Sequence, residues 1–460
     1  MRQLGSLLNF ALQLGVWENK RLLSQSRIFK TWWPLAASWL LMSIELPAMS
    51  AVVARLPNAE VNLAAYGGIV FPLAMIIESP IIMLLAASTA LSKDWGSYLK
   101  MRRFMMVTSA VMTAVHILVA FTPLYDLVAR HLLGVPAEII EPGRVGLMIM
   151  LPWTWAIAYR RFNQGVLIRF EHSQTIGVGT GIRIGANLIV LTIGFLTSTI
   201  PGIVVATSAV ICGVVSEAIY VGIVVRPVLK NELKLAPPLA VPLTFAAFMD
   251  FYIPLAMTSL LILLVQPIGS AAVSRMPRAI ESLAAWSVVS GLTFMVRSPG
   301  IAYNEVVVAL LDRPRSSASL LRFALILISI TSLLLLVVTA TPLAWLWFSE
   351  VSGLNPELAS LAKTGLWLTL PGPALAVLQS WYQGAVLHDR RTRGIIEAVV
   401  IFLITSTAVL WAGAAWGKVT GLYVALAAFS AAGITQTLWL WSISRPAIRA
   451  ARQRDAVVES

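Results

Sequence analysis

The amino-acid sequence predicts an all-α polytopic membrane protein, with twelve transmembrane helices set as two parallel six-helix repeats around a central cavity. Three observations predict it. Apolar runs long enough to cross a bilayer, about 20 residues each, recur from Trp32 almost to Trp441. Charged residues gather in the gaps between those runs. The second half of the chain lies over the first at an offset of 219 to 220 positions.

The hydrophobic class makes up 58% of the residues, charged residues make up 12%, and the mean hydropathy is +0.82. No soluble core requires such a fraction. The formal net charge of +13 would raise nucleic acid for a soluble chain; here the basic residues sit in loops, where membrane orientation accounts for them and no nucleic-acid partner is expected. Cys212 is the single cysteine, which excludes an intrachain disulfide and a thiolate metal cluster. His116, His131, His172 and His388 share no metal-ligand spacing, and neither a nucleotide loop nor a cofactor fingerprint is present. Neither a cofactor nor enzyme chemistry is expected.

In chain order, residues 1–30 hold no long apolar core and no small-residue cleavage site, so they read as a retained cytosolic or interfacial segment. Six spans follow at 31–53, 62–91, 102–124, 145–168, 178–199 and 201–225, forming an amino-terminal bundle over 31–225. A polar connector, 226–243, precedes spans 244–273, 282–311, 321–343, 363–386, 394–414 and 419–441, the carboxyl-terminal bundle over 244–441, and a cytosolic tail occupies 442–460. The second and eighth spans exceed a bilayer crossing and must tilt, bend or project. Both termini are placed in the cytoplasm, because the basic loops then fall inside: Lys93 to Arg103, Arg226 to Lys234, Arg313 and Arg315, the HDRRTR loop (388–393), and the tail. Loops 54–61, 125–144 and 344–362, on the outside, are balanced or acidic, with Arg275 and Arg278 as the exception. The expected location is a bacterial inner membrane, the expected state a monomer among lipids.

The repeat is specific. At an offset of 220, Pro34, Pro47, Arg55 and Pro57 fall on Pro254, Pro267, Arg275 and Pro277, and Leu63-Ala64-Ala65 on Leu283-Ala284-Ala285. At 219, Ser79-Pro80 meets Ser298-Pro299, and LPWTWAIAYRRFNQG (151–165) lies over LPGPALAVLQSWYQG (370–384). Apolar composition alone would not keep four prolines, an arginine and a Gln-Gly in register. Six spans per half is an even number, so the halves run parallel, as in one standard solution to alternating access.

In that frame Glu78, within MIIESPIIMLL (75–85), is equivalent to Arg297, within FMVRSPGIAYN (294–304). Charges at the midplane are costly in lipid, so both are expected to face the bundle interior, opposite each other across the cavity. Three readings stand: a structural ion pair, an anion anchor (Arg297) with a proton or cation coupler (Glu78), or positions nearer an interface. Arg160, Asn163 and Gln164 share a helix face, and Gln379, Tyr382 and Gln383 match them on the tenth span, as two stripes lining a cavity; snorkelling is the other reading for Arg160. Glu45 precedes Pro47 in the first span, with Gln266 beside its counterpart, so a broken helix there would make an ion site. Glu217 and Asn304 complete the substrate or coupling-ion candidates, while Arg183 and His116 read as interfacial or packing residues.

This arrangement, with bent first and seventh helices, resembles the multidrug/oligosaccharidyl-lipid/polysaccharide exporter superfamily, which includes MATE-type toxic-compound extruders, lipid-linked sugar flippases and the progressive ankylosis proteins. The segment LAAYGGIVFPLAMIIESP (63–80) with SKD (92–94) looks most like the ankylosis branch, which implies export of organic anions. The expected function is secondary active export of a small organic solute, preferably anionic, by alternating access, since an ATP-binding domain is missing from the sequence. The alternatives are a proton- or sodium-coupled multidrug cation extruder, a lipid-linked glycan flippase, and a non-transporting scaffold or receptor.

Overall fold

Backbone polar groups have no water to bind inside a bilayer, so a chain this apolar satisfies them within helices, and the computed structural model is helical throughout its described residues, 23–239, 242–311, 313, 316–388 and 393–457. Residues 1–22 of the amino-terminal segment, Arg315 and most of the 388–393 loop lie outside the described residues.

The first half runs through α1 (Gln25–Val53), α2 (Ala59–Glu78), α3 (Leu84–Leu91), α4 (Trp95–Phe121), α5 (Ile140–Ile149), α6 (Leu151–Arg169), α7 (Gln174–Thr197) and α8 (Gly202–Asn231). The second comprises α9 (Phe245–Leu263), α10 (Val265–Val273), α11 (Ala279–Leu310), α12 (Ser316–Ala340), α13 (Pro356–Leu366), α14 (Pro371–His388), α15 (Arg393–Trp416) and α16 (Gly421–Val457). Ten helices among the described residues are long and apolar enough to cross a membrane, or eleven when the pair Pro356–Thr369 and Pro371–Leu387, bent by 40°, counts as one. The predicted fourth span falls short of that measure. It divides at Met150, ahead of Pro152, and Arg160, Arg161, Asn163 and Gln164 dilute its apolar content.

Two predicted boundaries move. Helix α1 starts at Gln25, within the segment assigned to the amino-terminal arm, with the Ser24 hydroxyl accepting from the Arg27 amide at 3.2 Å. The expected tail is not separate: α16 continues through Val457, and its end closes on α12. There the Arg454 guanidinium donates to the Leu311 carbonyl at 2.6 Å, and Asp455 accepts from the Ser317 amide at 3.0 Å.

The two long spans resolve differently. Helix α2 contains a π-helical turn at Tyr66–Val70 and stops at Glu78, because Pro80 has no amide proton and its ring opposes a continuing helix. A tight turn leads to α3. The matching Pro299 lies inside an unbroken α11. Each proline carbonyl accepts a bond from the first helix of the opposite half: Tyr252 Oη donates to Pro80, and Trp32 Nε1 to Pro299 at 2.9 Å. Helix α1 lies along α11 and joins the halves in a continuous apolar core.

His116 is buried between α4 and the α5–α6 pair, with Nε2 2.9 Å from the Leu147 carbonyl and Nδ1 3.1 Å from Thr154 Oγ1. A carbonyl only accepts, so Nε2 carries the proton and Nδ1 takes the Thr154 hydroxyl proton. This is a packing role, as the sequence implies.

Asp94 caps α4, with Oδ1 3.1 Å from the Ser97 amide. Burial alone would push this carboxyl up, but hydrogen bonds from Ser97 and from the backbone of Leu239 and Gly96 outweigh it and hold it below the usual carboxylate value. Such a depressed group gives stability that is present above the unfolded value and is lost as pH falls through the folded one. Asp94→Ala is therefore expected to destabilise the fold by about 1 kcal/mol at neutral pH. Thermal unfolding in detergent should show the gap to the parent closing in acid.

Candidate functional site

A cavity of about 560 Å³ lies between the two halves, bounded by α1, α2, α6, α7 and α8 on one side and by α10, α11, α14, α15 and α16 on the other. Aromatic rings contribute to its wall, among them Tyr66, Trp153, Trp286, Phe294 and Phe429. Its polar lining includes Glu45, Arg183, Gln266, Arg297, Gln379 and Gln436. Of the predicted candidates, the structure brings Glu45, Gln266, Arg297 and Gln379 to this wall.

Glu45 does not stand alone. Its Oε2 is 3.2 Å from Arg183 Nη2, and its Oε1 accepts from Asn187 Nδ2 at 2.9 Å. Arg183 Nε is also 3.7 Å from Glu217, which is 1% exposed and accepts from Arg160 Nη1 and, at 2.9 Å, from Gln164 Nε2. The chain of contacts thus runs from the cavity wall through α7 into the interior of the first half. Arg160 is buried and paired, so it does not snorkel.

Of the three readings of Glu78 and Arg297, the ion pair is not found: among the described ion pairs the two do not meet. Glu78 is 2% exposed and accepts from Trp153 Nε1, with Arg161 and Arg160 its nearest opposite charges, all within its own half. The pair of facing polar stripes is corrected as well. The Arg160–Gln164 face packs against α8, and Asn163 Nδ2 returns to the Tyr159 carbonyl at 2.9 Å. On α14, Gln379 Nε2 bonds Thr437 Oγ1 at 3.1 Å, whereas Tyr382 packs with an apolar cluster near Trp32 and Gln383 is half-buried away from the cavity. Asn304 faces the Ser380 carbonyl at 3.5 Å and is not part of the wall.

Arg297 is different. It projects from α11 into the wall, and its Nε is buried with no hydrogen-bond partner. No described carboxylate pairs with it. Helix α14 passes over its stem at Gly372, where a Cβ would lie 3.3 Å from Arg297 Cδ. The side chain is half-buried, and its planar fork of donors suits an anionic group.

Arg183, Trp153 and Gln436 are site residues that sequence reasoning missed. For Arg183 the signal was present: it is the only charge in its span, and ionisable residues at membrane depth mark function by default.

The sequence matches no protein-family model, and no curated protein is similar to it. Solved structures do match. An inward-facing multidrug resistance MATE family transporter of the MOP superfamily superposes with a TM-score of 0.67 at 14% identity, covering 91% of this chain and 98% of its own. The chain has the MATE fold. An outward-facing multidrug resistance MATE family transporter gives a TM-score of 0.58 at 14% identity, over 93% of this chain and 97% of that one. A third, a MOP superfamily transporter from Pyrococcus furiosus whose binding pocket of reverse polarity suggests a different function, gives 0.57 at 15% identity, over 93% and 96%. In this chain the MATE-like cavity is bordered by one neutralised acid, Glu45, and one unneutralised base, Arg297.

Proposed function

We propose that this protein is a secondary active transporter that moves a small organic solute through the central cavity by alternating access, with a preference for an amphiphilic anion. The observation that carries the preference is Arg297: a half-buried arginine on the cavity wall, among aromatic rings, that no described carboxylate pairs with. Glu45 adds no free negative charge, since Arg183 lies against it. In this reading Glu217, held by Arg160 and Gln164, positions Arg183 and through it Glu45, Glu78 and Asn163 stay within the interior of the same half, and Gln266 and Gln379 supply hydrogen bonds to the solute.

The architecture proposed for this activity is twelve spans in two parallel repeats, both termini cytoplasmic. Paired features at the expected offsets support it: Asn58 and Arg278 each adopt a left-handed conformation just before a helix, and π-helical turns occur at Leu127–Leu133 and Leu346–Val351. The higher TM-score to the inward-facing relative supports a cavity directed to the cytoplasm.

A second reading, proton- or sodium-coupled extrusion of organic cations, is favoured by the multidrug transporters that share the fold and by Glu45 on the wall. Solute-evoked current in proteoliposomes separates the two. Pyrophosphate, citrate, nucleotides and lipophilic cations are presented with and without proton and sodium gradients. Currents from anions, of the sign of inward negative charge, are expected. Currents from lipophilic cations alone would transfer the assignment to the second reading.

A further inference from the structure

The geometry points to a reciprocal latch: Arg55 and Arg275, each reaching from one half onto a turn of the other, hold one end of the cavity shut and must withdraw together for that end to open. The direction of opening rests on the function proposed above; the latch itself rests on the following contacts.

Arg55 follows α1 and Arg275 follows α10. Arg55 donates to the carbonyls of Glu350 and, at 3.1 Å, Val351, which end the π-helical turn Leu346–Val351 of the second half. Arg275 donates to the carbonyls of His131 at 3.1 Å, Leu132 at 2.9 Å and Leu133 at 2.8 Å, which end the turn Leu127–Leu133 of the first half. The last carbonyls of a helical segment have no partner within it and carry partial negative charge, so a guanidinium fork suits them.

Each turn then reverses through a glycine in the left-handed region, Gly353 at φ 71° and Gly134 at φ 65°. The arginine lies directly over that glycine: a Cβ would sit 2.7 Å from Arg55 Nη1 at Gly353 and 2.7 Å from Arg275 Cζ at Gly134. Only glycine accommodates both the conformation and the approach. Both arginines also bond their own helices, Arg55 to the Ala51 carbonyl at 2.7 Å and Arg275 to Ala271 at 2.6 Å. The side chains are thereby held ready and keep a partner after release, which makes the contact reversible. Two further bonds cross between halves at this end, Asn355 Nδ2 to Glu60 and Ser270 Oγ to the Gly68 carbonyl.

A latch and a static brace differ in what happens at the opposite end. Spin labels on exposed sites in a Cys212→Ser background report both ends: Glu138 with Ser360 at the latched end, Arg103 with Gln453 at the other. In the Arg55→Ala/Arg275→Ala variant, the ratio of long to short distances at the latched end is expected to rise at least about tenfold, and the opposite pair is expected to shorten in step. An unchanged latched end, or a broadened one without shortening opposite, would overturn the proposal. Should that variant fail to accumulate as folded protein, Glu60→Cys/Asn355→Cys bridged by a short bifunctional thiol reagent tests the same end. Bridging is expected to remove the long-distance population at the latched end and the short one opposite; persistence of either would refute the latch. These distances need no solute, so a silent transport assay beside an intact distance response would count against the function alone.

Discussion

Arg297→Gln is expected to abolish anion-evoked current and leave the fold intact. Charge-assisted hydrogen bonds contribute about 1.5–3 kcal/mol each, so losing a two-bond fork removes roughly 3 kcal/mol or more, over a hundredfold in affinity. Arg297→Lys should recover little of this, because an ammonium offers a point charge rather than a planar fork, and the stem is held by the close passage of α14 at Gly372. Stability should move the other way. The buried Nε of Arg297 has no hydrogen-bond partner and costs free energy, so Arg297→Met is expected to unfold in detergent no earlier than the parent. The combination of lost transport and retained stability marks a residue kept for binding. Equal KM values for the parent and Arg297→Gln would end the anion reading.

Glu217→Gln is expected to be the most destabilising conservative change in the chain, at roughly 3–5 kcal/mol. Glu217 is 1% exposed and takes Arg160, Gln164 and Arg183 together. Its neutralisation leaves two buried guanidinium groups short of an acceptor. Removing Arg160 as well, in Glu217→Gln/Arg160→Met, should recover a substantial part of the loss, since breaking a buried pair costs more than replacing it. Thermal unfolding of the two singles and the double in detergent reads the coupling. A loss under about 1 kcal/mol for Glu217→Gln would show that water reaches the network.

The helical, polytopic class was legible in the sequence because composition and apolar run length answer to the solvent alone. The polar residues were legible one by one; their partners were not. Glu45 and Arg297 were found by the rule that costly groups in lipid have a purpose, Gln266 and Gln379 by the repeat register, and all four reach the wall. Glu78 was matched to Arg297 by register, yet register says nothing of where a helix turns, and Pro80 breaks α2 whereas Pro299 leaves α11 whole. The face shared by Arg160 and Gln164 was correctly read as one face, but which neighbour it meets depends on tertiary packing against α8. Arg275, an exception to the charge bias of the loops, is occupied by the carbonyls of Leu132 and Leu133.

The distribution of buried charge has a consequence for the response to voltage. In the first half three acids, Glu45, Glu78 and Glu217, stand among three bases, Arg160, Arg161 and Arg183. Arg297 is left over. Moving one elementary charge through the whole membrane field involves about 2.3 kcal/mol per 100 mV, and under the proposed alternating access an empty cavity would carry this surplus positive charge through part of that field. A bound monovalent anion cancels it. The loaded step would then be nearly indifferent to membrane potential, and the return of the empty carrier would be the step that an interior-negative potential biases toward the cytoplasmic side.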